Sequence, residues 1–201
     1  MANKKNNRSS QRTQRLIREA FVDLAYDRPL SQIAVADVAE RADISRGTFY
    51  LYFHELLEVR DVIADEFIDA FRDALAAKVA EEDACGEADP LPKLVVCLDF
   101  IQEHNKEVTV LLGPNGDIAF LRRIEGVIRR FYLAGIEEHV GAMDEDVFSR
   151  LFSFLITGMV GSIRDWLARG CQETSEEMAE FLGTILITTA RDFAEGQPAR
   201  A

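Results

Sequence analysis

The chain has 201 residues, 48% hydrophobic and 29% charged, the balance of an ordinary globular protein, which excludes a disordered or fibrous chain. Its 23 Lys and Arg stand against 35 Asp and Glu for a net charge of −12, which excludes a protein that coats nucleic acid by bulk charge. Three cysteines (Cys85, Cys97 and Cys171) are odd in number and form no CxxC pair, so neither a disulfide framework nor a zinc site is expected.

Glycine and proline are sparse and strand-type alternation is absent, so the expected class is all-α. Leu16, Ile17, Ala20, Phe21 and Leu24 form the stripe of a first helix that stops at Asp27-Arg28-Pro29. Val35, Val38 and Ala39 mark a short second helix with Asp37 in its first turn. After the tight break Arg41 to Ser45, Ser45 is placed to cap a third short helix through Phe53. Leu56, Val59, Ile63, Phe67, Phe71 and Leu75 recur along a long fourth helix, and Glu81 to Pro92, with Gly86 and two prolines, reads as a loop. Helices are then expected from about Lys93 to His104 and from Lys106 to Leu112, followed by a turn at Gly113-Pro114-Asn115-Gly116. Asp117 can cap the helix of Phe120, Ile124, Val127, Ile128 and Phe131. The next opens at Met143-Asp144-Glu145-Asp146 and ends near Gly170, and the last starts on the capping box Thr174 to Glu177 and runs to about Glu195.

The charge is unevenly spread. Residues 1–60 hold ten Lys/Arg and eight Asp/Glu, and Lys4, Lys5, Arg8, Arg12, Arg15 and Arg18 all precede the first acid, Glu19. A basic leading arm on an acidic body can touch a phosphate backbone locally while the body repels it. No apolar leader opens the chain, and the charge-free apolar run between Arg150 and Arg164 is shorter than the ~20 residues a bilayer requires. A cytoplasmic chain with no membrane partner is expected.

Ala34 to Phe53 carries the chemistry. Two short helices flank a turn of three or four residues, and Val35, Val38, Ala39, Ile44, Phe49 and Phe53 can close a small core beneath them. Ser45, Arg46, Gly47 and Thr48 face out at the start of the second helix of the pair. This is the order of parts in a helix-turn-helix, whose recognition helix offers its N-terminal residues to base edges in the major groove. Arg46 supplies the planar fork that reads guanine, Thr48 a hydroxyl and a methyl, and Gly47 a close approach. Tyr50 and Tyr52 carry hydroxyls that can reach phosphates. An ordinary helical hairpin shows the same apolar spacing.

The stretch Arg12 to Phe71, above all Ile44-Ser45-Arg46-Gly47-Thr48-Phe49-Tyr50-Leu51-Tyr52-Phe53, resembles the DNA-binding region of the tetracycline-repressor (TetR/AcrR) family. The resemblance implies a DNA-binding domain over 1–54 and a helical effector-binding and dimerisation domain over 55–201. The implied function is a ligand-responsive repressor that binds a palindromic operator in double-stranded DNA as a homodimer. It carries DNA contacts onto Ser45, Arg46, Gly47, Thr48, Tyr50 and Tyr52. Leu111 to Asp117 with Phe120-Leu121 further resembles the subgroup that includes the dihydroxyacetone-kinase operon regulator. Three positions depart from the family pattern: Ala34 where Thr or Ser caps the second helix, Asp43 where the turn has Gly, and Leu56 where a Lys holds phosphate. Asp tolerates a left-handed turn. Without the Lys, weaker DNA binding with a shallow salt dependence is expected.

Two uncharged stretches, Leu151 to Ile163 and Phe181 to Ala190, read as helices that must be covered on all sides. A four-helix interface between two subunits satisfies both, with Phe152, Leu155, Met159, Phe181 and Ile185 as its contacts. An internal hairpin is the other way to bury them. Thirteen Phe make an apolar effector pocket plausible, drawn from Phe100, His104, Phe120, Phe131, Tyr132, Phe154, Met159 and Trp166, with Phe100, His104 and Trp166 the chosen candidates.

His54, His104 and His139 lie far apart, and no metal-binding, P-loop, dinucleotide or nucleophile-elbow motif is present, so no enzyme activity, metal or cofactor is expected. Leu56, Ala34 and the acidic total leave a second reading, a helical ligand-binding or scaffolding dimer that has lost DNA binding. Repressor and activator are not separable by sequence, since the same docking blocks or recruits polymerase.

Overall fold

A computed structural model describes residues 2–85, 90–113, 115–116, 118–140 and 144–195. Among these residues the chain is helical with no strand, in the order α1 (Ala2–Asp27), α2 (Val35–Arg41), α3 (Arg46–Tyr50), α4 (Leu56–Cys85), α5 (Pro90–Glu103), α6 (Asn105–Leu112), α7 (Ile118–Val140), α8 (Glu145–Ala168) and α9 (Ser175–Glu195). A short 3-10 turn, Leu30–Gln32, links α1 to α2. The all-α expectation is met, and most boundaries fall within a few residues of the expected ones.

The helix expected through Phe53 ends at Tyr50, and two boundaries differ by more. The basic leader is not an arm but the opening turns of α1, since no Gly or Pro interrupts the chain before Pro29 and Lys, Arg and Gln are good helix formers. The loop expected over Glu81 to Pro92 is shorter, because α4 continues to Cys85 and Pro90 is the first residue of α5, a position where its missing N–H costs nothing. The expected Asp117 cap lies outside the described residues.

Caps set the later helices as expected. Asp144 accepts from the Asp146 and Val147 amides at 3.1 and 3.3 Å. Thr174 and Glu177 form the reciprocal box, with Thr174 N–H donating to Glu177 at 2.9 Å and Glu177 N–H to the Thr174 hydroxyl at 3.2 Å. α8 ends in left-handed backbone at Gly170 (φ 75°) and Cys171 (φ 52°).

The chain divides into two compact units: residues 1–67 with 106–120, and residues 68–105 with 121–201. The first unit therefore takes in the start of α4 and all but one residue of α6, beyond the 1–54 span expected for the DNA-binding domain. Its core joins Ile17, Phe21, Val38, Phe49, Val59 and Ile63 with Val108 and Leu111, and Phe67 meets Phe120 edge-on at 5.8 Å. The second unit buries Phe71, Leu75, Leu98, Phe152, Trp166 and Leu182. There α5 lies so close along α9 that a Cβ on Gly183 would strike Leu91.

One described helix segment, Asp146–Ala168 of α8, is long and apolar enough to cross a membrane. It exceeds the charge-free run because Arg150 and Arg164 lie within the helix. Its apolar residues split between a buried row (Leu151, Phe152, Leu155, Ile156, Ile163, Trp166) and an exposed face that carries Phe154.

Candidate nucleic-acid interface

The turn between α2 and α3 closes by backbone bonds from Asp43 N–H to the Glu40 carbonyl (3.1 Å) and from Ile44 N–H to the Ala39 carbonyl (2.9 Å). Asp43 takes the left-handed conformation (φ 52°), so it does the work of the family's glycine. Ser45 caps α3, accepting from Thr48 N–H at 3.0 Å, and the two hydroxyls bond to each other at 2.9 Å. Phe49 is fully buried and Phe53 nearly so, their rings 5.9 Å apart. These two anchors fix which face of α3 looks outward.

That face holds the expected contacts. Arg46 and Gly47 are exposed, Tyr50 is 55% exposed, and Thr48 and Tyr52 are half-buried. Among the described residues, Arg46 forms no ion pair, so its fork is available to a base or phosphate. Ser45 contributes mainly as the cap. Leu51, absent from the expected set, is 78% exposed. Sequence reasoning passed over it because it favours side chains that hydrogen-bond.

Ala34 lacks a capping side chain, and Asp37 supplies a one-sided substitute by accepting from Ala34 N–H at 2.9 Å. Behind the reading head, Asp23 of α1 accepts from Lys106 at the start of α6 and Arg41 at the end of α2, both at 2.7 Å. The bond from Lys106, followed by that from Arg41, holds the Asp23 carboxyl below its ordinary value of 3.8. A carboxylate depressed in the folded state stabilises above its unfolded pKa, and the contribution is lost as pH falls through the folded value. The melting-temperature gap between wild type and Asp23→Asn is therefore expected to be full near neutrality and to close below about pH 3.8. A gap unchanged at low pH would contradict the pairing.

Asn115, only 8% exposed, ties the segment after α6 to the end of α1. Its Oδ1 accepts from Leu30 N–H at 2.6 Å, and its Nδ2 donates to the Ala25 and Arg28 carbonyls at 2.7 and 3.2 Å. The side chain thus satisfies carbonyls that α1 leaves open at its C-terminus. Gly116 permits the turn, since a Cβ there would run into the Leu111 carbonyl.

At the start of α4, Leu56 is half-buried and lines an open groove of about 540 Å³ with Leu30, Ile33, Val35 and Tyr50. Glu58 turns back to accept from His54 N–H at 2.6 Å. Leu56 thus stands where the resemblance implies a phosphate-holding Lys, with a carboxylate two residues on.

In the second unit Phe100 packs against His104 with the rings tilted by 37° and their centroids 4.3 Å apart, and meets Phe71 at 5.5 Å. Trp166 is fully buried, and its indole N–H is engaged with the Glu173 carbonyl at 3.0 Å. Two wider pocket candidates fall elsewhere: Phe120 belongs to the first unit's core, and Phe154 is 74% exposed. The side chain of Tyr132 lies outside the described residues.

The expected dimer contacts separate. Phe152 (3% exposed) and Leu155 (7%) are core residues of their own chain, because the face of α8 expected to meet a partner is its inward face. Met159 is half-buried, while Phe181 (55%) and Ile185 (41%) are exposed as expected. The outward row of α8 is Phe154, Gly158 and Gly161, with open space beside both glycines. Among the described residues, no group of His, Cys, Asp and Glu is placed to hold a metal ion.

Comparison with known proteins agrees with this geometry. Residues 88–188 match the family model TetR_C_8, a transcriptional regulator C-terminal region. A curated relative, the uncharacterized HTH-type transcriptional regulator YxbF of Bacillus subtilis (strain 168), is 23% identical over 133 residues, 66% of this chain and 34% of YxbF. The match thus spans about a third of that relative's length. The TetR transcriptional regulator from Streptococcus agalactiae 2603V has the same fold, with a TM-score of 0.66 at 20% identity over 92% of this chain and 99% of that one. The dihydroxyacetone kinase operon activator DhaS follows at 0.59 and 20%, covering 90% and 97%.

Proposed function

This chain belongs to the TetR family of transcriptional regulators and is a DNA-binding regulator, and we propose from that premise that it is a ligand-responsive repressor acting as a homodimer on a palindromic operator. The observation that carries the DNA reading is the outward face of α3, where Arg46 and Gly47 are presented to solvent by a helix pinned from behind by Phe49 and Phe53. Arg46 reads a base edge, Tyr50 and Tyr52 hold phosphates, and Thr48 with Ser45 fixes the helix start. The ring cluster of Phe71, Phe100 and His104 supports an effector site in the second unit, with His104 as the polar handle. Catalysis has no part in this reading, and the site of action is the cytoplasm, where the operator is.

Mobility-shift titration on the DNA upstream of its own gene tests the reading. Arg46→Ala is expected to weaken specific binding by about 1–3 kcal/mol, roughly five- to 150-fold. Leu56 and Glu58 at the head of α4 lead to a shallow salt slope, flattened further by removing the basic residues 1–12. A steep slope that survives the deletion would contradict this. The same acidic helix start favours a second reading, a ligand-binding dimer that has lost DNA binding, for which no upstream fragment shifts at all. A reporter on that fragment separates repression from activation, the role DhaS is named for.

A further inference from the structure

We propose that Leu51 is a specificity residue that reads thymine through its C5-methyl group. The inference rests on the DNA reading above and adds to it a base and an atom.

At about 100° per residue, Leu51 lies half a turn from the midpoint of Phe49 and Phe53, the two side chains that pin α3 to the core. Continuing the register of α3 one residue past its end, it is the outermost position. Gly47 stands one turn before it on the same line, flanked by Arg46 and Tyr50 on one side and by Thr48 and Tyr52 on the other. Leu51 retains helical backbone (φ −74°, ψ −19°), so this register holds through it. The centre of the reading face is thus a bare backbone followed by an isobutyl group, with the polar residues at its edges.

A leucine 78% exposed at that place carries apolar surface that water solvates poorly. In the major groove the apolar feature of a base edge is the thymine methyl, and aliphatic side chains meet it by contact. Thr48 is the rival for the same role, but its hydroxyl is engaged with Ser45 and its side chain is half-buried at the flank.

The test starts from duplexes selected out of a random library by the full-length chain. Each thymine of the selected site is then replaced by uracil, which deletes one methyl and leaves pairing intact. At one position or more per half-site, uracil is expected to weaken wild-type binding about three- to five-fold, the worth of one buried methyl group. Leu51→Ala is expected to bind the thymine site more weakly by a similar factor and to be indifferent to uracil there. Thr48→Ser should keep the wild-type sensitivity. Because Leu51 is exposed, the variant's melting curve should match wild type. If no sequence is selected, the DNA reading fails and this inference with it. If a site is selected but uracil has no effect, or its effect persists in Leu51→Ala or vanishes in Thr48→Ser, the DNA reading stands and the role of Leu51 is overturned.

Discussion

Asn115→Ala is expected to lower the melting temperature of the first unit by about 5–10 °C, the equivalent of roughly 2–3 kcal/mol in a chain of this size. The alanine would leave the Leu30 amide and the Ala25 carbonyl without partners at a site that is 8% exposed at Asn115 itself. Such orphaned groups cost their full desolvation, which is more than the net worth of the bonds that are lost. Asn115→Asp makes the argument sharper. It keeps the acceptor for Leu30 but aims a carboxylate at two carbonyl oxygens, so it should be at least as harmful at neutral pH and recover as the aspartate is protonated. Both variants should also weaken DNA binding, because Ala25, Arg28 and Leu30 form the support from which α2 and α3 project. An Asn115→Ala melting curve within a degree of wild type would show that the clamp is not made in solution.

Phe181→Asp is expected to convert the proposed dimer to a monomer of 22.6 kDa, read by light scattering, and to abolish specific DNA binding at concentrations where wild type is saturated. The exposed rows that support this pairing have one spacing: Phe154, Gly158 and Gly161 on α8, and Phe181, Ile185 and Thr188 on α9, each at i, i+4 and i+7. Phe154 (74% exposed), with open space beside Gly158 and Gly161, and Phe181 (55%) head two exposed stripes suited to a four-helix contact. A carboxylate buried there costs several kcal/mol, which raises the dissociation constant more than a hundred-fold. Since Phe181 is exposed in the subunit, the monomer should keep its helical spectrum. A dimer that survives both Phe181→Asp and Phe154→Asp would place the interface elsewhere.

Periodicity and capping chemistry disclosed most of this fold, and the reasons are local. The Ser45 cap, the Asp43 turn and the Thr174–Glu177 box each depend on residues at most five apart, so their chemistry is written in short windows. Clamps that join distant elements were not legible. Nothing near Asn115 signals that it will bond Ala25, 90 residues away, and the same holds for Lys106 and Asp23. Face assignment failed where composition was uniform. Leu151 to Ile163 has no charge to mark its outward side, so the sequence reading gives the buried Phe152 and Leu155 to a partner and the exposed Phe154 to the pocket. In and just after α3 the polar residues were found and Leu51 was missed, because an aliphatic side chain announces burial until the backbone shows that it points away from the core.

Hydroxyl-radical footprinting of the full-length chain on the duplex upstream of its own gene tests the central claim most directly. The account predicts two protected patches related by a two-fold axis and separated by a whole number of helical turns, both lost with Arg46→Ala at equal protein concentration. Uniform protection that tracks only salt and protein concentration, or an unchanged footprint with Arg46→Ala, would contradict it.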